Sequence, residues 1–332
     1  MNSLAVLTSG GDAPGMNACI RAVVRTALTL SMKVYGIDRG YTGLIEGDFT
    51  EMDRSSVSDI IRRGGTILHT SRCEEFKTVE GREKALKRLA AYNIEGLIAI
   101  GGDGTFRGAD LLSKMGFPVS CIPGTIDNDL PYTDYTIGFD TAVNTVLEAI
   151  NKIADTAGSH ERVSVVEVMG RKCGDIALFS GLDGGAEAII IPEKSYEINN
   201  ICRTILENKK KGRLNNLIIV AEGAVEGDGG AKKIAEQIED ITGIEARSTT
   251  LGYTQRGGSP SGKDRGLGCK FGYYAVQTIS SGVTSSAVGI KNNKVFHMPI
   301  EDALKYEKVF DEELYNIFLT LTKNQEGKNA KN

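Results

Sequence analysis

Histidine, proline and paired cysteine are scarce in this chain of 332 residues, and each scarcity closes off a class of function. There are three histidines, and the six cysteines (Cys19, Cys73, Cys121, Cys173, Cys202, Cys269) stand singly with no Cys-x-x-Cys pair, so the sequence argues against zinc clusters and disulfide frameworks. Neither His160 nor His297 has an acid and nucleophile arranged around it, which leaves serine-hydrolase chemistry without support. No apolar run approaches the ~18 residues of a membrane span. Met1 to Gly11 lacks a charged stretch followed by an apolar core and a cleavage site, so the chain reads as cytoplasmic. Charge of one sign is also lacking. With 39 basic and 43 acidic residues the formal charge is −4, which offers no field for nucleic acid, and any anionic ligand must be met by local charge. Two nucleotide fingerprints are missing as well, the Gly-x4-Gly-Lys-Ser/Thr loop and a Gly-x-Gly-x-x-Gly after the first apolar run.

Glycine, by contrast, is plentiful. The 40 glycines exceed the roughly 7% of an average chain, and they gather in groups between apolar runs. Leu4 to Leu7 runs into Thr8-Ser9-Gly10-Gly11-Asp12-Ala13-Pro14-Gly15, after which Ile20, Val23, Val24, Ala27 and Leu28 recur at helical spacing. The same order of strand, glycine turn and helix follows Leu97 to Ile100 (Gly101-Gly102-Asp103-Gly104-Thr105), Val163 to Val168 (Met169 to Gly174) and Leu217 to Val220 (Ala221-Glu222-Gly223). Val34 to Ile37, Val119 to Ile122, Ala188 to Ile191 and Ala287 to Ile290 are further buried-strand candidates. Continuous Val/Ile/Leu runs alternating with helices predict an α/β protein whose parallel sheets are covered on both faces. In such sheets ligands lie beyond the carboxyl ends of the strands, so the four turns are expected to line one cleft. The length predicts about two domains. No Pro- or Ser-rich linker marks a joint, and the best candidate is near Phe139 and Asp140, where a long helix begins.

Pro123-Gly124-Thr125-Ile126-Asp127-Asn128-Asp129 places two carboxylates two residues apart, on one side of the chain if the backbone is extended. With Asp103 they make three acids at the expected cleft. Phosphoryl transfer needs a Mg²⁺ ligand, a base on the attacking hydroxyl and cations around the moving group. Arg72, Arg162, Arg171, Arg247 and Arg256 lie in polar or glycine-rich segments that would present them there.

Taken in order, TSGGDAPGMN, GGDGT, PGTIDND, SHERVSVVEVMGRKCGD and TQRGGSP closely resemble the ATP-dependent 6-phosphofructokinases of bacterial type, from the first strand to about Asp302. The resemblance implies two domains of mainly parallel sheet flanked by helices, with the active site in the cleft between them. It implies a larger ATP-binding domain of residues 1–139 with 251–301, a smaller sugar-phosphate domain of 140–250 with 302–323, and a frayed tail at 324–332. ATP would meet Gly11, Arg72, Cys73, Gly102, Gly104 and Thr105, and Asp103 would hold Mg²⁺. Asp127 would take the proton of the fructose 6-phosphate 1-hydroxyl, with Asp129 in support and Thr125 and Arg171 at the transferring phosphoryl. Met169, Gly170 and Glu222 would bind the sugar, and Arg162, Arg247, Tyr253 and Arg256 its 6-phosphate end. In the family Arg162 and Arg247 reach in from a neighbouring subunit, so a homotetramer with shared active sites is implied, with no nucleic acid or membrane partner. Pyrophosphate users of the family usually carry Asp and Lys where Gly104 and Gly124 stand, so ATP is the implied donor. The competing readings are the same fold with pyrophosphate or tagatose 6-phosphate, and a non-catalytic sugar-phosphate-binding regulator.

Three positions depart from the pattern. Tyr253 stands where the bacterial enzymes usually have His. Arg21, Arg25, Arg54, Asp59, Gly185, Glu187, Lys211 and Arg213 match an effector site at which ADP activates and phosphoenolpyruvate inhibits. There, however, Ala154 replaces an arginine and Leu214 replaces a base beside Lys211. Ala154 continues the apolar periodicity of its helix and reads as core, and Lys209 to Lys211 read as a solvated helix end. The expected outcome is weakened or altered allosteric control. Fructose 6-phosphate saturation curves with and without ADP and phosphoenolpyruvate check it, and strong cooperativity with undiminished phosphoenolpyruvate inhibition would refute it.

Overall fold

The computed structural model describes residues 1–322 except Leu214 and Asp228. The expected tail at 324–332 and the departure at Leu214 therefore lie outside the described residues. Along the chain the strands are β1 (Ser3–Ser9), β2 (Lys33–Ile37), β3 (Phe49–Met52), β4 (Leu97–Gly101), β5 (Val119–Thr125), β6 (Ile137–Gly138), β7 (Val163–Val168), β8 (Ala188–Ile190), β9 (Asn216–Ala221), β10 (Ala246–Thr250), β11 (Ser285–Lys291) and β12 (Lys294–Met298). The helices are α1 (Met16–Thr29), α2 (Gly40–Glu46), α3 (Val79–Ala91), α4 (Asp103–Lys114), α5 (Phe139–His160), α6 (Asp175–Asp183), α7 (Ile198–Lys210), α8 (Gly230–Thr242), α9 (Gly262–Ser280), α10 (Ile300–Ala303) and α11 (Glu312–Thr322).

They form two units, Met1–Ala142 with Arg256–Lys308, and Val143–Gln255 with Val309 onward. Each joint falls a few residues beyond the one read from the sequence. The reason at the first joint is polar. Asp264, 1% exposed, accepts hydrogen bonds from the Gly138 and Thr141 amides at 2.8 Å each and from the Thr141 hydroxyl, which ties the first turn of α5 into the first unit.

In the first unit the sheet runs β12-β11-β5-β4-β1-β2-β3, with β6 added to β5. All pairings are parallel except the edge pairs of β11 with β12 and β2 with β3. Leu4, Ala5, Val6 and Leu7 of β1 are fully buried, as a central strand covered on both faces requires. One face packs on α2, α3 and α4 through Leu44, Leu89, Phe106 and the stacked Tyr41 and Phe76 rings. On the other, α1 and α9 meet at backbone distance. A Cβ at Gly268 or Gly272 would come within 2.9 Å of the Gly15 carbonyl or 2.7 Å of the Cys19 carbonyl. In the second unit β10-β7-β9-β8 is all parallel. Its core joins Val163, Val165, Ile218 and Val220 to Cys202 and Ile205 of α7 and Ile234 and Ile238 of α8.

The strands read from apolar runs are present, with ends within two residues except at β5, which runs three residues further to Thr125. β3, β6, β10 and β12 carry no such run; β10, Ala-Arg-Ser-Thr-Thr, is a sheet edge with polar side chains. Among the described residues no helix is long and apolar enough to cross a membrane.

Asp264→Ala would leave the Gly138 and Thr141 amides buried without acceptors. The expected cost is about 2–4 kcal/mol of stability, read from the denaturant midpoint of the first unfolding transition.

Candidate active site

β1 and β4 lie side by side, and Ser9 pairs with Gly101 at their carboxyl ends. The chain reaches β2 on one side of β1 and β4 on the other, which makes this the point of reversed strand order where open sheets hold ligands. The turns after the two strands are consequently neighbours. The Thr105 hydroxyl donates to the Ser9 carbonyl at 3.0 Å, and the Tyr41 hydroxyl donates to the Thr105 carbonyl at 2.6 Å. Gly10 has φ 85°, and its carbonyl accepts the Thr70 hydroxyl at 2.6 Å, which draws the segment bearing Arg72 and Cys73 to the same turn. Arg72 is exposed, whereas Cys73 is half-buried against the core. A Cβ on Gly101 would overlap the Thr105 side chain and the Ser9 carbonyl. A Cβ on Gly104 would meet nothing within 4 Å. Packing therefore demands glycine at 101, whereas no contact within the chain demands it at 104. The Gly102, Asp103 and Gly104 amides open α4, where backbone N–H groups have no partner within the helix.

β5 brings up the acids beside β4, with Gly101 opposite Pro123. The chain turns immediately after Thr125, and Asn128 takes a left-handed φ of 52°. The extended backbone expected for Asp127 and Asp129 is thus replaced by a tight turn. The Asp127 amide donates to Thr125 Oγ1 at 3.2 Å, and Asp127 is 5% exposed while Asp129 is half-buried. Asp103, at the start of α4, accepts from Arg107 Nε at 2.8 Å, an interaction that raises the arginine pKa. Register makes the turn bearing Asp103 and the turn bearing Asp127 and Asp129 neighbours, but among the described residues no three His, Cys, Asp or Glu side chains come together as a metal cage. Gly124 has a packing reason to be small, since a Cβ would lie 3.0 Å from Ile100 and 3.1 Å from Met16. A Cβ on Gly11 would lie 3.2 Å from the Arg256 guanidinium carbon, so Arg256 stands over the β1 turn.

In the second unit β7 and β9 pair Val168 with Ala221, which sets the Met169–Gly174 turn against Glu222. Glu222 accepts the Arg171 amide at 2.8 Å, and Arg171 holds φ 55°. Gly170, at φ 139°, has no room for a side chain beside the Cys173 carbonyl. Gln255 is fully buried and accepts the Met169 amide at 3.1 Å, and Glu193 accepts the Gly174 amide at 2.8 Å. Arg162 Nε and Arg247 Nη2 bond the two oxygens of Glu245 at 2.6 and 2.5 Å. The Arg162 bond is the main cause of a Glu245 pKa held below the usual range. Tyr253 is 78% exposed. Of the four glycine turns, two belong to each sheet.

A family model described as Phosphofructokinase matches residues 3–279. The chain belongs to the phosphofructokinase family. The ATP-dependent 6-phosphofructokinase of Clostridium botulinum (strain Hall) is 62% identical over 323 residues, 97% of this chain and 100% of the relative. A phosphofructokinase structure from Saccharomyces cerevisiae is 35% identical with a TM-score of 0.86, covering 92% of this chain and 45% of the yeast chain. A pyrophosphate-dependent phosphofructokinase from Marinobacter aquaeolei, 20% identical, covers 98% of this chain and 92% of its own at a TM-score of 0.85, a likeness of fold.

The residues matching the phosphofructokinase effector site divide between the units. Arg21, Arg25, Arg54 and Asp59 belong to the first, Gly185, Glu187, Lys211 and Arg213 to the second. Thr29 joins two of them, donating to the Arg25 carbonyl at 2.8 Å and accepting from Arg54 at 3.2 Å. Asp59 and Gly185 have left-handed backbones, at φ 56° and 68°. Glu187 accepts the Leu217 amide at 2.6 Å, and its pKa is raised by burial against the opposing pull of Arg213. Lys211 caps α7 and is exposed, as a solvated helix end should be. Ala154 is half-buried, and Ala157 is the buried residue of that turn, so Ala154 is not the core position that periodicity predicts.

Gly101→Ala is expected to cost about 1–3 kcal/mol through overpacking and to weaken ATP binding. Gly104→Ala should gain about 0.5–1 kcal/mol of helix stability while still weakening ATP binding. Thermal midpoints set beside calorimetric ATP titrations separate the two.

Proposed function

We propose that this chain transfers the γ-phosphate of MgATP to the 1-hydroxyl of fructose 6-phosphate, giving fructose 1,6-bisphosphate and ADP. The reading is carried by 62% identity to an ATP-dependent 6-phosphofructokinase over that relative's whole length. The bare space at Gly104 supports the nucleotide as donor, because no packing within the chain requires it. Gly124 adds less, since Ile100 and Met16 already need it small.

In this reading the amides around Gly11, Gly102, Gly104 and Thr105 receive the ATP phosphates, with Arg72 and Cys73 beside them. Asp103 would hold Mg²⁺. A single half-buried carboxylate with no three-acid cage among the described residues suits a magnesium ion bound largely by phosphate oxygens and water. When bound, the ion supplies charge neutralisation at the phosphates. Asp127 accepts the 1-hydroxyl proton as that oxygen bonds to the γ-phosphorus and the bond to the ADP oxygen breaks. Its burial beside Thr125 limits its motion. Thr125 and Arg171 meet the charge on the moving phosphoryl group, with Asp129 in support. Met169, Gly170 and Glu222 hold the sugar, and Arg162, Arg247, Tyr253 and Arg256 its 6-phosphate. The Glu245 carboxylate keeps Arg162 and Arg247 together until a phosphate competes for them. A homotetramer with shared sites, effector binding of ADP or phosphoenolpyruvate, and a cytoplasmic location belong to the same proposal.

A coupled assay of fructose 1,6-bisphosphate formation with Mg²⁺ and either ATP or pyrophosphate tests it, and turnover with ATP alone is expected. Asp127→Ser should lower kcat about 10²–10⁴-fold with little change in sugar binding, since a lost base acts on the transition state. Near-normal turnover in that variant would remove Asp127 from the role.

A further inference from the structure

The turn that carries Asp127 is fixed by several bonds. Asn128, between the two aspartates, sits in the left-handed region at φ 52°, which Asn adopts more readily than most residues and which neighbouring bonds here hold in place. Two restraints come from nearby sequence. Asn128 Oδ1 accepts the Thr136 amide at 3.1 Å, and the Thr136 hydroxyl donates to the Thr125 carbonyl at 2.6 Å. A third comes from 180 residues away, where Lys308 Nζ donates to the Asn128 carbonyl at 3.0 Å. Lys308 is the last residue of the first unit. It follows α10, whose buried Ile300 and Ala303 anchor the segment to the core. An ammonium donor makes a hydrogen bond roughly twice as strong as a neutral one, and here its acceptor belongs to the one residue flanked by both aspartates.

We propose that Lys308 is a positioning residue for phosphoryl transfer. It acts through the Asn128 carbonyl to hold the turn in the geometry that aims Asp127, and it brings a fixed positive charge to the backbone between the two carboxylates. The inference rests on Asp127 as the base. A misplacement of about 1 Å at a reacting group can cost on the order of 100-fold in rate, so a restraint on this peptide is worth more in turnover than in stability.

The test compares wild type, K308M, K308R and D127S in the coupled assay with MgATP and fructose 6-phosphate, with thermal midpoints measured alongside. In K308M, kcat should fall roughly ten-fold, the loss expected for one charge-assisted bond. KM for both substrates should stay within about two-fold and the midpoint should fall by no more than a few degrees, while K308R, which keeps a charged donor, should recover most of the loss. Wild-type kcat in K308M overturns the proposal. So does an equal loss in K308M and K308R accompanied by a larger fall in midpoint, which is the mark of a merely structural side chain. If D127S is inactive while K308M is normal, only the role of Lys308 falls. If D127S keeps wild-type turnover, the base assignment falls and takes the proposal with it.

Discussion

Parallel strand register decides where the glycine turns of the first unit meet, and the rest of that unit from β1 to α4 depends on it. Register puts Ser9 against Gly101, so the two glycine turns share one edge of the sheet. The Thr105 hydroxyl then fastens one turn to the other. Tyr41 reaches across from α2 to hold the Thr105 carbonyl and stacks on Phe76, which carries the restraint down into the apolar core. A rigid frame around an open α4 N-terminus results, and the acids of β5 are delivered to its margin by ordinary parallel pairing.

The near balance of total charge is consistent with a protein that concentrates its cations by pairing. Arg162 and Arg247 share Glu245, and Arg107 neutralises Asp103. Each pair is partly exposed to solvent, where an isolated ion pair contributes little stability. Their effect is geometric: a carboxylate that receives two guanidinium groups fixes the spacing between them, and oxyanions such as carboxylate and phosphate accept that same pattern of hydrogen bonds.

The central parallel strands were readable because each is buried on both faces and written as a continuous apolar run. β1, β4, β7 and β9 announce themselves in this way, as do the glycine turns that follow them. β10 and β12 are defined by their neighbours and carry no periodic signal of their own. The functional motifs were visible as residue types, yet the groups that aim them were not. Gln255, Glu245 and Glu193 look like ordinary polar loop residues until the fold brings them to Met169, Arg162 and Gly174 across long sequence separations. The turn at Asn128 was hidden for another reason: alternation of side chains in a strand says nothing about where the strand stops, and this one stops at Thr125. Ala154 shows the limit of helical periodicity near a helix end, where the apolar stripe outlasts the surface that covers it.

The close approach of α1 and α9 has a mechanical consequence. With Gly268 and Gly272 seated on the Gly15 and Cys19 carbonyls, and only the small Ala18 and Ala22 side chains beside them, the two helices have little side chain at these points to compress or reorder. The first of them begins at the glycine turn after β1, and Arg21 and Arg25 ride along its length. At Gly268 and Gly272 neither helix can shift toward the other, so the turn that opens α1 is tied to α9 as firmly as to its own strand.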